Sequence, residues 1–326
     1  MNLKKTLKTK LRSFFGIQQV QEQIIEIRQV LEKLDPNLVL SNQNINQDSG
    51  NDKFIIKLDY PPSRDLRPRW GDSHPPHQGL INLFNKNRDR YIEVFRGVSK
   101  LKPFFDRINQ DYSYDQPSEP GWLGGAINAI DTALLYYFIT QYKPKIYLEI
   151  GSGISTLFAA RAKRDHNLNT QIISIDPQPR AEVDAVCNQV IRAGLETTDL
   201  SIFDQLEAGD IVFMDGSHRS FMNSDVTVFM LDVLPMLKSG VIVHFHDIVL
   251  PFDYPDTFID WYWNEQYIVA AYLLAAGDEK LDVMMPSRFM SYTDEMKQEL
   301  QPILQGWKAV PEVWLCGGSL WFTNKQ

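Results

Sequence analysis

The chain has 326 residues, 44% of them hydrophobic, which is long for one domain and short for two, so one α/β core with additions is expected. A formal net charge of -8 argues against the broad basic face of a nucleic-acid binder, so no nucleic-acid partner is expected. Cys187 and Cys316 are too few for a disulfide framework or a cysteine-rich zinc site, and no apolar run reaches the roughly eighteen residues of a membrane span, so the expected location is the cytoplasm.

Residues 1–17 are basic and carry no acids: Lys4, Lys5, Lys8, Lys10 and Arg12 alternate with Leu3, Leu7, Leu11, Phe14 and Phe15 at helical spacing. Such a helix is either solvated, docked on a partner, or laid on an anionic membrane as a peripheral contact. Val20, Ile24, Ile27, Leu31 and Leu34 continue the helical pattern, and the polar, Asn-rich stretch 41–53 reads as a linker. Residues 1–53 are therefore expected to be a helical extension, followed by lid and helices over 54–144 and a catalytic core over 145–326. Five prolines between 59 and 79 rule out regular structure there. That loop, with Arg64, Arg67, Arg69, Trp70, His74 and His77, is either a lid over a polar substrate or a stiff wrap over the core. Helices are predicted over 80–108, with Tyr91, Val94, Phe95 and Val98 on the buried face, and over 126–140.

Ile146 to Ile150 form a short apolar, β-favouring run that stops at Gly151-Ser152-Gly153, and 156–162 reads as helix. Strand, glycine turn, helix is the unit that binds ligands at the carboxyl edge of an open α/β sheet. Glu149, at the end of the strand, would repel a pyrophosphate and hold a cofactor bearing an ammonium and ribose hydroxyls. Thr156 also stands where the third glycine of a dinucleotide fingerprint belongs. A second strand, 171–175, ends in Asp176, 23 residues beyond Gly153 and close to where a ribose-binding acid is expected. A helix over 180–187, strands near 189–192, at 210–215 and at 241–245, helices over 226–237 and 261–276, and final strands at 281–285 and 319–323 complete the βα order.

Glu149-Ile150-Gly151-Ser152-Gly153, followed by Ile173-Ser174-Ile175-Asp176, resembles the first two motifs of class I S-adenosylmethionine-dependent methyltransferases. With Asp215-Gly216-Ser217-His218 and His246-Asp247, the set is similar to that of a bacterial methyltransferase domain group. The resemblance implies a Rossmann-like, doubly wound α/β sheet, mostly parallel and closed by an antiparallel C-terminal pair. It implies S-adenosylmethionine held by Glu149, Gly151, Ser152, Gly153, Asp176 and Asp215. It further implies O-methylation of a polar small molecule or glycan.

The polar clusters at the fourth and fifth strand ends open on the same sheet edge as Glu149 and Asp176. His218, one turn after Asp215, is the expected general base for an acceptor hydroxyl, with Asp215 beside it. The other reading is that His218 caps the following turn. Asp215 and Asp247, with His246 as a third ligand, offer a site for Mg²⁺, similar to metal-dependent O-methyltransferases of sugars and catechols. Some of those that act on sugars also have a His three residues after the first acid, which matches Asp215 and His218. Rival readings are a non-catalytic Rossmann-like binding module and an NAD-linked oxidoreductase. No Gly-x-Ser-x-Gly elbow points to a hydrolase.

Overall fold

The structure, a computed structural model, describes residues 67–71, 73–123, 127–259, 261–307 and 312–325. The expected helices over 1–17 and 20–34, the linker 41–53 and the boundary after residue 53 lie outside the described residues. Helix α1 (Gln78–Asn85) is capped by His77, whose Nδ1 accepts a hydrogen bond from the Leu80 amide at 3.3 Å. The helix expected over 80–108 is three pieces: α1, α2 (Arg88–Lys100) and α3 (Lys102–Phe105). Asn87 leaves helical dihedrals, at φ -113°, and its side-chain Nδ2 donates to the Val283 carbonyl at 3.0 Å. Tyr91, Val94, Phe95 and Val98 form the buried face of α2 as the spacing predicts.

Helix α4 (Ala129–Tyr142) is apolar almost all round and lies in the core; it ends at Lys143 in the left-handed conformation, just before Pro144. Then come β1 (Ile146–Ile150), α5 (Ile154–Asp165) and β2 (Gln171–Ile175). The helix expected over 180–187 does not form; only a 3₁₀ turn, Asp184–Val186, is present. Pro177 and Pro179 lack amide hydrogens, and the Arg180 amide is spent on the Ser152 carbonyl at 3.2 Å, so the segment doubles back onto the glycine turn. Strands β3 (Gln189–Ile191) and β4 (Ile211–Met214) follow. The helix predicted over 226–237 is α6 (Asp225–Val228), a π-turn at Phe229–Val233 and α7 (Leu234–Met236), with Pro235 supplying no amide to the ladder.

Strand β5 (Ile242–Phe245) is followed by the short α8 (Asp256–Ile259) and by α9 (Glu265–Lys280), which begins four residues later than the apolar pattern suggests. Strand β6 (Leu281–Pro286), α10 (Ser287–Met290), α11 (Asp294–Leu304) and β7 (Leu320–Asn324) end the chain. The seven strands form one sheet in the order β3-β2-β1-β4-β5-β7-β6. The first five are parallel, and β7 runs antiparallel to both β5 and β6, so the sheet closes with the expected antiparallel pair. Leu148, Val212, Val243 and Phe322 are fully buried at its centre, and Trp321 stacks on Phe138 with ring centroids 4.3 Å apart.

The strand order reverses between β1 and β4, and there the chain leaves the sheet in opposite directions and opens a crevice. The described part of the proline loop stays away from it. Trp70 N donates to the Asp253 carboxylate at 3.0 Å and His77 N to the Pro251 carbonyl at 2.9 Å, so the loop wraps the connection after β5. Among the described residues no helix is long and apolar enough to cross a membrane.

Candidate active site

A cavity of about 1310 Å³ opens at the reversal point, and Gly151, Ser152, Gly153, Asp176 and Asp215 all border it. Gly151 has φ +79°, and a β-carbon there would lie 1.7 Å from the Asp215 carbonyl oxygen, so the close approach of β1 and β4 demands glycine. Gly153 is different. Its φ of -178° suits any residue, and a β-carbon would meet nothing nearer than the Arg180 Cβ at 3.9 Å. A side chain at 153 would therefore fill open space beside the turn, at the cavity wall. Asp176 is held in place by two backbone amides, Ser152 N at 2.6 Å and Gln178 N at 2.7 Å, and Ser152 Oγ is 2.7 Å from Ser174 Oγ.

Glu149 does not border the cavity. It lies fully buried under the turn, where it accepts hydrogen bonds from the hydroxyls of Ser155 and Thr156, the second at 2.5 Å. Burial pushes its pKa up to about 8, against the downward pull of those two hydroxyls. The sequence reading of Glu149 as a direct ammonium ligand is thus displaced by one layer. The carboxylate faces the first turn of α5, and the atom it leaves at the cavity wall belongs to Ser155.

The polar cluster forms at the ends of β4 and β5. His218, 3% exposed, has Nε2 3.4 Å from Asp215 Oδ1 and 3.5 Å from Asp247 Oδ2. Its Nδ1 is 2.9 Å from Glu265 Oε2, a carboxylate that is itself fully buried. Trp263 covers the ring, with centroids 4.1 Å apart. His218 and Asp247 both adopt positive φ, 59° and 53°, a conformation that side chains other than glycine take at a cost and that concentrates at functional sites. Burial opposes the charge on His218, but the hydrogen bonds to Asp215 and Glu265 outweigh it and raise the pKa to about 10. Burial raises Asp215, yet His218 and the charge on His246 hold it below the ordinary carboxylate range. Asp247 is raised by burial and by the neighbouring Asp215 charge.

One expected ligand falls outside the cluster. Ligand atoms of Asp215, His218 and Asp247 all lie within 4.8 Å of one another, and this is the group of the described residues that would suit a metal; His246 is not part of it. His246 Nε2 is 3.7 Å from Asp247 Oδ1, but its ring is buried and stacks on His244 and Phe213. The two-residue alternation along β5 puts His244 and His246 on one face, while the left-handed turn at Asp247 swings that carboxylate towards His218. Glu265 was missed by sequence reasoning. Its one signal is an acid just before the apolar stretch 267–276. Asp225, which accepts from Ser217 N at 2.6 Å and Ser217 Oγ at 2.5 Å, braces the turn before His218.

Residues 148–248 match the family model described as a methyltransferase domain. No curated protein matches the chain. Among solved structures, the chain is similar to a Podospora anserina methyltransferase bound to SAH, at 15% identity and TM-score 0.37, covering 79% of this chain and 100% of that one. It is also similar to an O-methyltransferase from Bacillus cereus in complex with SAH, at 16% identity and TM-score 0.32, over 59% of this chain and 82% of that one. A third is the O-methyltransferase TomG from Streptomyces achromogenes in complex with SAM, at 16% identity and TM-score 0.30, over 72% and 90%. Likeness at this level bears on neither cofactor nor acceptor. The matched stretch holds Glu149, the glycine turn, Asp176, Asp215, His218 and Asp247, in the order of the motifs read from the sequence. Residues 148–248 are thus similar to a methyltransferase domain.

Proposed function

We propose that the protein methylates a hydroxyl of a polar small molecule or glycan, with S-adenosylmethionine as donor and His218 as the base. The observation that carries this reading is the junction of the cavity and the cluster. Asp215 borders the cavity beside the glycine turn and also touches His218. The residues fit the cofactor: Gly153 leaves open space at the wall, the Ser152 and Gln178 amides fix Asp176 with oxygen lone pairs to spare, and Ser155 stands at the same wall. Gly151, Ser152 and Gly153 would hold its methionine part and Asp176 its ribose. Bound there, S-adenosylmethionine supplies an electrophilic methyl group on a sulfonium.

His218 would take the acceptor's proton at Nε2, the nitrogen that faces Asp215 and Asp247. At neutral pH that nitrogen carries a proton of its own, held by the carboxylates. Asp215 would loosen its hold on this proton if its oxygens also held a cation, which would leave Nε2 free to accept the acceptor's proton. Asp215 and Asp247 also offer hard oxygens to Mg²⁺, which would lower the pKa of a hydroxyl bound next to it. Nε2 cannot bind a cation and accept a proton at once, so the base reading assigns the metal to the two carboxylates. A pyrophosphate cofactor is disfavoured because Thr156 fills the place of the third glycine and Glu149 lies under the turn.

The test is methyl transfer from labelled S-adenosylmethionine to a panel of glycans and catechols. On whichever acceptor works, His218→Ala should lower the rate by about 10² to 10⁴ while cofactor binding is kept. Wild-type transfer should fall as the pH drops, because the ring must be neutral to act. Transfer by His218→Ala at the wild-type rate would remove the base assignment, and activity indifferent to chelators would remove the metal.

A further inference from the structure

We propose that Glu265 is a positioning residue for His218: its carboxylate takes the hydrogen on Nδ1, so that Nε2 is the nitrogen left to face Asp215, Asp247 and the acceptor. The proposal rests on the reading of His218 as the base and says how the ring is made ready. An imidazole has two nitrogens, and which one carries the hydrogen is set by the bond that the other makes. Here Glu265 Oε2 is 2.9 Å from Nδ1, while among the described residues the oxygens paired with Nε2 stand farther off, at 3.4 and 3.5 Å. The asymmetry is built by α9. The amides of Asn264 and Glu265 both donate to the His218 carbonyl, at 2.9 and 3.2 Å, and Asn264 Oδ1 accepts from Ser220 N at 2.6 Å. The start of α9 therefore grips the chain at His218 and just beyond it, where the backbone holds positive φ, and the carboxylate of Glu265 meets the ring.

Other readings of Glu265 explain less. It is fully buried, and its Oε1 has no hydrogen-bond partner among the described residues, so it is a poor structural glue: a neutral amide or an alkyl group would avoid the cost of taking a carboxylate out of water. A carboxylate on the far nitrogen of a buried imidazole has a clear use, because it keeps one tautomer and stabilises the imidazolium that forms when the near nitrogen takes a proton. Trp263 packs against the ring, and Asp215 and Asp247 stand at its tip.

The spectroscopic test of the pairing needs no acceptor; only its separation from the base reading does. The full chain is labelled with ¹⁵N-histidine, and the ring signals of His218, one of six histidines, are identified by their loss in His218→Ala. In the wild type the Nδ1 proton should be strongly shifted downfield and slow to exchange. Once the ring is neutral, the proton should remain on Nδ1, with Nε2 showing the shift of an unprotonated nitrogen. In Glu265→Gln, which keeps size and shape, the downfield proton should vanish and the Nε2–H tautomer should become populated; Glu265→Ala should do the same if it folds. Calorimetric binding of S-adenosylmethionine by Glu265→Gln, unchanged from the wild type, verifies the fold and the cofactor site. A neutral wild-type ring with its proton on Nε2, or a His218 spectrum unchanged by Glu265→Gln, would overturn the proposal. A spectrum as expected beside undiminished transfer by His218→Ala would keep the pairing and remove the base reading instead.

Discussion

Gly151 and Gly153 stand two residues apart in one motif and answer to different demands. The first is required by the fold, where Asp215 leaves no room for a β-carbon; at the second a β-carbon would meet nothing nearer than 3.9 Å, and under the proposed function that open space belongs to the cofactor. Glu149 shows how far a motif can be read: its presence beside the turn was legible, but its direction was not. Side-chain alternation turned it to α5, where two hydroxyls meet it. Burial there makes a prediction with a definite sign. With a folded pKa of about 8, above the ordinary range, the group binds a proton in the folded state that the unfolded chain has already released. Stability from this site is thus fully present below the unfolded pKa of roughly 4.3 and is lost as pH rises through about 8. Urea denaturation should show the wild type losing stability relative to Glu149→Gln between about pH 5 and pH 8. Parallel curves for the two proteins would show that the carboxyl keeps an ordinary pKa.

The elements were read best where one side of the chain decides them. The parallel strands are short apolar runs and appeared in place, β3 included. The segment after β2 was read as helix from its composition, yet its amide at Arg180 serves the glycine turn, a contact that no local pattern reveals. Glu265 was illegible for the same reason, being 47 residues from the histidine it meets. A second long-range tie joins α4 to the far strands. Asp131, fully buried in the first turn of α4, accepts from Ser287 Oγ at 2.8 Å, Ser319 Oγ at 2.6 Å and Gly318 N at 2.8 Å. Gly318 in turn accepts from Ile248 N at 2.8 Å, next to Asp247. Asp131→Ala leaves these donors buried without their acceptor and should cost about 3 kcal/mol in urea denaturation. A loss under about 1 kcal/mol would mean that the two serines re-pair with each other and the tie is dispensable.

At the scale of the whole molecule, one sheet edge gathers residues from distant parts of the chain: the glycine turn after β1, Asp176 after β2, Asp215 and His218 after β4, and Asp247 after β5. Parallel strands make this inevitable, since their carboxyl ends share an edge, which is why the site could be listed from sequence before the strand order was known. What sequence could not supply was the third dimension of that edge: that His218 and not His246 meets the two aspartates, and that the aromatic and acidic start of α9 closes behind it. Every role assigned to the edge depends on the cavity taking S-adenosylmethionine. Calorimetric titration of the full chain with S-adenosylmethionine and, separately, with NADH tests this most directly, with Gly153→Val as the control that fills the cavity wall without straining the backbone. The account predicts binding of S-adenosylmethionine alone, abolished in Gly153→Val at unchanged stability; no binding of S-adenosylmethionine, or binding indifferent to the valine, would contradict it.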